Sequence, residues 1–238
     1  MSVTVDLVEN GRVRREVLEL KRCYNLGSAT RTADIAVAHQ DEVKKIGVAI
    51  AFDIPAPRIY PIGAENISTA GEITVQGEET SGEVEIVIVV TDEIYVGVGS
   101  DHTDRALERT SIVWSKQACA NVLAPKLWRW SDVKDRWDSF SMRSWVDGRL
   151  YQECLANVFL SPEAMLDTLK ERILDLPARD FCVFGGTVAA LDKSIGFGRR
   201  WEFEMAQPDG DVIRHGYDVV NLMNEIKPGF RVPLEKRL

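Results

Sequence analysis

The stretch 80-TSGEVEIVIVVTDEIYVGVGSDHTDR-105 decides how the chain is read. Val84 to Val90 and Ile94 to Val98 are apolar runs rich in valine and isoleucine. The polar break Thr91-Asp92-Glu93 separates them, which is the pattern of a β-hairpin. Successive side chains of a strand point to opposite faces, so Glu83 and Glu85 share one face. The second run delivers Gly99 and Ser100, then the cluster Asp101-His102-Thr103-Asp104-Arg105. Glu83, Glu85 and Asp101 can therefore converge on one point. Like charges so placed repel unless a proton, a basic side chain or a divalent cation neutralises them. An all-oxygen donor set suits Mg2+, Mn2+ or Ca2+ better than zinc. The plainer reading of Glu-x-Glu is a solvated strand face, glutamates outward and valines inward. The residues alone leave both readings open.

A chain of 238 residues can bury a full core, as one large domain or two small ones. Its hydrophobic fraction of 45% and charged fraction of 28% are those of an ordinary soluble globular protein. The net charge of −8 argues against a binder of nucleic-acid phosphates, which needs a basic footprint. It leaves room for a small anionic substrate, because a cation and a few local basic groups reverse the field inside a pocket. Cys23, Cys119, Cys154 and Cys182 are far apart and form no CxxC pair, so free thiols in a reducing cytoplasm are expected. No apolar run approaches the length of a membrane span, and the N-terminus lacks the pattern of a signal peptide.

Around the central stretch, the turn Asn10-Gly11 joins two alternating runs into an opening hairpin. Thr32 to Ile46 changes to helical spacing, with Ala36, Val43 and Ile46 as the apolar stripe and Gly47 as the stop. His39 and Glu42 lie on one face of that helix, where the carboxylate can fix the imidazole tautomer. Lys116 reads on composition as a surface lysine. Trp128, Trp130 and Trp137 read as core anchors, with Ser131 as a helix cap. Asp147-Gly148 and Asp209-Gly210 mark two further hairpins, and Ser161-Pro162-Glu163 opens a helix. Gly185-Gly186-Thr187 follows a short strand, where glycine lets backbone amides approach a ligand closely. Strands outnumber helices, so the class is α+β with a β-dominated core. Residues 1–50 carry the hairpin and the His39 helix, and 51–238 carry the main β unit, the two forming one compact body.

In this order the features resemble the fumarylacetoacetate hydrolase superfamily, and more closely a bacterial branch carrying SGEVE and GSDHTDR. The resemblance implies a mixed β-roll with a few peripheral helices. It implies a site in which Glu83, Glu85 and Asp101 hold Mg2+ or Mn2+, with Ca2+ also compatible. Arg105, Gly186 and Thr187 would bind substrate, and Lys116 would add positive charge. His39, oriented by Glu42, would activate water, with His102 as the next candidate base. The implied reaction is C–C hydrolysis or lysis of an acylpyruvate-like 2-oxo acid through an enolate. The alternatives are a sugar-acid dehydratase, an isomerase or a decarboxylase in the same site, or a β-rich binding protein without turnover. A homodimer is implied as well. Valine follows Gly186-Thr187 where the superfamily has proline, the loop between Glu85 and Asp101 is short, and His102 and Asp104 are not superfamily residues. These departures bear on the substrate more than on the metal site.

Overall fold

The two apolar runs of the central stretch form antiparallel strands at the heart of the larger sheet, with Val84 opposite Ser100 and Val90 opposite Ile94. The computed structural model describes residues 1–49 and 53–234. The boundary expected at 50/51 lies outside the described residues. Every residue from Val84 to Val90 is buried. Val84, Ile86, Ile88 and Val90 enter one core, whereas Val87 and Val89 enter a second on the other side of the sheet. A strand covered on both faces reads as a continuous apolar run rather than an alternating one.

The chain opens with β1 (Ser2–Glu9), β2 (Arg12–Glu19) and β3 (Arg22–Gly27), then the helix α1 (Ala33–Lys45) and β4 (Arg58–Ile62). Short strands β5 (Ile67–Ser68), β6 (Glu72–Val75) and β7 (Thr80–Ser81) lead into the central pair, β8 (Val84–Val90) and β9 (Ile94–Asp101). Next come β10 (Thr103–Asp104), the short helices α2 (Arg105–Glu108) and α3 (Ile112–Gln117), β11 (Asn121–Leu123), β12 (Lys126–Arg129) and α4 (Trp130–Val133). The remainder is β13 (Ser141–Val146), β14 (Arg149–Leu155), α5 (Pro162–Arg172), β15 (Phe181–Phe184), β16 (Arg200–Ala206) and β17 (Val212–Asn221).

The larger sheet runs β2-β1-β12-β9-β8-β15-β3-β4, with β11 and β5 extending from β9. It is mixed, since β1 lies parallel to β12 and β15 parallel to β3. A second sheet runs β14-β13-β16-β17-β6. The core between them holds Trp128, Trp137, Trp201, Phe203 and Met205. This is the β-dominated α+β class expected from the sequence, with few helices.

The turn residues behave as their chemistry requires. Asn10 and Gly11 both take positive φ, as do Asp147 and Gly148, which matches the twist of the flanking strands. Ser161 caps α5 by accepting from the Ala164 amide. Two local expectations fail. Ser131 lies inside α4, whose cap position is Arg129. The buried side of α1 is formed by Glu42 and Val43 rather than by Ala36 and Ile46. A buried glutamate on a helix face is not predicted by hydropathy, and its explanation lies in the site.

Candidate active site

Glu83 and Asp101 extend the β8–β9 ladder by one pair, exchanging backbone hydrogen bonds of 3.1 and 3.0 Å. Glu85 sits opposite Gly99 in the same register. The three carboxylates therefore project from one face at one end of the hairpin, and all three are buried. The solvated-face reading of Glu-x-Glu is thereby excluded. One oxygen from each lies within 4.8 Å of the other two. Gly99 supplies no side chain where a Cβ would stand 2.6 Å from both the Phe184 ring and the Val122 carbonyl.

Basic groups enclose the trio. Asp104 caps α2 by accepting from the Leu107 amide at 2.9 Å, which sets Arg105 at the start of the helix. The Arg105 guanidinium donates to Glu83 Oε1 at 2.6 Å, to Glu108 Oε2 at 2.8 Å and to Ser81 Oγ at 2.7 Å. Ser111 caps α3, and that helix carries Lys116 inward, where Nζ donates to Asp101 Oδ2 and lies 3.6 Å from Glu83 Oε2. The surface reading of Lys116 is excluded as well. From α1, His39 Nε2 stands 3.0 Å from Glu83 Oε1 and Nδ1 stands 3.2 Å from Glu42 Oε2. Glu42 also accepts from the Ala190 amide at 2.8 Å, which explains its burial.

The charges are unevenly shared. Burial pushes the Glu83 carboxyl up, but Arg105, Lys116 and His39 outweigh it and hold the group well below the usual range. Burial and the neighbouring charge of Asp101 push Glu85 well above that range. Asp101 is also raised, chiefly by burial, against the opposing pull of Lys116. Burial alone would lower His39, yet the charge of Glu83 and the hydrogen bonds to Glu42 and Glu83 bring it up to about 9. Lys116 is held above its ordinary value by Asp101, Glu83 and Glu85 despite its burial.

These residues fit a hard divalent cation. The donor set is all oxygen. Asp101 Oδ1 is buried without a hydrogen-bond partner. The carboxylates of Glu42, Glu83, Asp101 and Glu108 are ion-paired with His39, Arg105 and Lys116, whereas Glu85 accepts only the Gly186 amide among the bonds of the described residues. Burying an ion costs several kcal/mol unless it is paired, and a cation here would pair the Glu85 and Asp101 carboxylates, which burial otherwise pushes toward their neutral forms.

A cavity of about 70 Å3 reaches Glu83 and Glu85 of the trio and is lined also by His39, Lys116, Gly186, Thr187, Gln40, Arg58 and Tyr60. Gly186 takes φ +83 and donates its amide to Glu85 Oε2 at 3.1 Å. A Cβ there would meet the Leu26 carbonyl at 2.9 Å, so only glycine suits the position. Arg105, expected to touch substrate, is enclosed by protein acceptors and does not line this cavity among the described residues. Thr187 lines it, but its hydroxyl donates to the Val84 carbonyl at 3.0 Å. His102, the alternative base, points the other way. Its Nδ1 lies 2.9 Å from the Tyr217 hydroxyl, its ring packs edge-on to Trp201 and Tyr217, and burial holds its pKa down at about 3. It takes no part in the site.

Several members of the site were not anticipated. Glu108 lies three residues beyond Arg105 on one helical turn, a spacing that could have revealed it. Ser81 and Tyr60 arrive from other elements and carry no local signal.

The family described as "Protein of unknown function (DUF2848)" matches residues 27–217. The chain belongs to this family. The DUF2848 match takes in the whole carboxylate trio together with His39, Glu42 and Lys116. No curated protein matches the chain. Solved structures do. A fumarylpyruvate hydrolase from Pseudomonas aeruginosa, in complex with Mn2+ and pyruvate, is 18% identical, with 91% of this chain and 96% of that one covered at a TM-score of 0.59. A 5-carboxymethyl-2-hydroxymuconate delta-isomerase from Mycobacterium smegmatis is 15% identical, with 90% and 88% covered at 0.60. A yeast fumarylacetoacetate hydrolase family protein is 15% identical, with 85% and 94% covered at 0.57. At these identities the likeness concerns the fold, and this DUF2848 chain has the fold of fumarylacetoacetate hydrolase family proteins. Among the described residues no helix is long and apolar enough to cross a membrane.

Proposed function

We propose that the chain is a divalent-cation-dependent enzyme that cleaves a small 2-oxo acid of the acylpyruvate type, with Glu83, Glu85 and Asp101 holding Mg2+ or Mn2+. The observation that carries this reading is the 3.0 Å approach of His39 Nε2 to Glu83, which sets a base candidate against the carboxylate trio beside a cavity lined by His39, Glu83 and Glu85. A similarly folded fumarylpyruvate hydrolase, solved with Mn2+ and pyruvate, supports the choice of substrate class and metal. The isomerase of the same fold is the reason the reaction is to be tested on a panel rather than on one compound.

When bound, the cation supplies Lewis-acid stabilisation of negative charge developing on the 2-oxo acid oxygens. The rest falls to the side chains. Glu42 accepts from the Nδ1 side of His39 and fixes the tautomer, so the neutral ring presents its lone pair at Nε2. Were Glu83 to serve as a ligand, its charge would hold the Nε2 proton of His39 less strongly, and that proton would be released to solvent before substrate turnover. That nitrogen then takes a proton from water, which attacks the distal carbonyl carbon as the C–C bond to the pyruvate methylene breaks. The proton is returned to the methylene carbon. Positioned general-base help of this kind contributes about 10²–10⁴-fold. Lys116 keeps its ammonium beside Asp101 and Glu83 and adds positive charge where the leaving fragment gathers electron density. The Gly186 amide fixes Glu85, and Arg105 fixes Glu83, so both carboxylates are set before substrate arrives.

The test is turnover of a panel of acylpyruvates, 3-oxo acids and sugar acids with added Mn2+ or Mg2+. Cleavage of an acylpyruvate to pyruvate by wild type, reduced about 10²–10⁴-fold in His39→Ala, is the expected result. Turnover of a sugar acid alone would replace hydrolysis by dehydration. No turnover of any member with either ion would leave a binding protein.

A further inference from the structure

Between Glu83 and Glu85 lies the Val84 peptide, whose N–H and C=O point away from β9 toward β15. The β8–β15 ladder places Phe184 opposite Val87, and Gly185 still donates to the Ile86 carbonyl at 2.8 Å. Continued in the same register, Thr187 would stand opposite Val84 and pair with it through the backbone. The left-handed turn at Gly186 prevents this, because it swings the Gly186 amide onto Glu85. Both polar groups of Val84 are buried, and burying such groups without partners is costly.

Side chains take the place of the missing strand. Gln152 Oε1 accepts from the Val84 amide at 3.0 Å, and the Thr187 hydroxyl donates to the Val84 carbonyl at 3.0 Å. Gln152 Nε2 donates to Thr187 Oγ1 at 2.8 Å and to the Val188 carbonyl at 2.6 Å, while Oε1 also accepts from Ser144 Oγ at 2.9 Å. The amide is thus fully engaged. A β-bulge brings it there. Ser144 pairs with Gln152 but Trp145 pairs with Leu150, so Tyr151 is the extra residue and both Tyr151 and Gln152 face inward.

We infer that Gln152 is a positioning residue of the site: with Thr187 it stands in for a strand at Val84 and thereby sets the spacing of the Glu83 and Glu85 carboxylates. The inference rests on the carboxylate trio being the metal site proposed above. It also orients Thr187, whose single hydroxyl hydrogen is committed to Val84. With one lone pair taken by Gln152, that hydroxyl has at most one lone pair and no donor left for the cavity, so an anionic substrate is held by other groups.

Two readouts on the full chain test this: manganese affinity, from the electron paramagnetic resonance signal of the free ion, and hydrogen exchange at the Val84 amide. Gln152→Met is expected to weaken manganese binding about 10–100-fold, the usual loss when a partner of a ligand is removed, and to speed exchange at Val84. Thr187→Val should weaken binding as well, and the double variant should lose less than the product of the two, because both groups hold one peptide. Ser144→Ala touches the amide but not the hairpin and should leave manganese affinity near that of wild type. Gln152→Met with wild-type affinity and wild-type Val84 exchange would overturn the inference. Should that variant not fold, the same result from Thr187→Val would do so. If wild type itself binds no manganese, the metal reading falls, and Val84 exchange alone then decides whether Gln152 positions this peptide.

Discussion

His39 Nε2 and Glu83 Oε1 stand 3.0 Å apart, although they come from a helix and a strand end more than forty residues distant in sequence. The contact joins the base candidate to the carboxylate trio, and it adds to the charges that hold both partners ionised. His39 is held cationic, with its pKa up at about 9, and Glu83 is held ionised.

A pH dependence follows. The folded pKa of His39 lies above its ordinary value of 6.5, so its contribution to stability is fully present below about pH 6.5 and is lost as pH rises through about 9. Denaturant unfolding of metal-free wild type and His39→Gln should show an advantage for wild type that shrinks across this window by up to about 1.4 kcal/mol per pH unit. Parallel pH profiles for the two proteins would contradict the pairing.

Glu85 gives the opposite sign. Its folded pKa is raised by burial and by Asp101, so it costs stability increasingly as pH climbs above its ordinary value of 4.5. Metal-free Glu85→Gln should gain on wild type as pH rises. Because a ligand must be deprotonated to bind, manganese should raise the melting temperature of wild type more at pH 8 than at pH 6. Glu85→Gln should show little of this difference.

Lys116 is the buried counter-charge of Asp101. Lys116→Met leaves the buried Asp101 carboxylate without its cation and should destabilise the metal-free protein by about 3–5 kcal/mol. Saturating manganese should recover part of that loss by supplying positive charge. A loss below about 1 kcal/mol would place Lys116 among ordinary surface pairs.

Arg105→Lys is not a conservative change here. The guanidinium serves Glu83, Glu108 and Ser81 from three nitrogens, and an ammonium cannot reproduce that fork. The variant should lose about 1–3 kcal/mol for each buried acceptor left unpaired, read by thermal or denaturant unfolding. Unfolding indistinguishable from wild type would show that the three bonds add nothing.

Strand periodicity carries much of the site in plain view. The alternation that puts Glu83 and Glu85 on one face also puts Asp101 on that face and His102 on the other, so the exclusion of His102 was legible from the same rule that brought the trio together. The His39–Glu42 pair was legible from helical spacing, but its approach to Glu83 depends on how α1 packs, which no local pattern records. Arg105 and Lys116 have long side chains whose reach is decided by tertiary neighbours. Gln152 was hidden for a different reason: a one-residue bulge at Tyr151 turns it inward against the alternation of its strand. Composition cannot distinguish such a glutamine from a solvated one.

The most direct measurement is a manganese titration of wild type and Asp101→Ala, followed by the resonance signal of the free ion. One ion bound per chain in wild type, with affinity falling by about 100-fold or more in the variant, is the predicted result, since a ligand should cost at least as much as its supporting partners. Absence of binding to wild type, or equal affinity in the two proteins, would contradict a cation held by Glu83, Glu85 and Asp101.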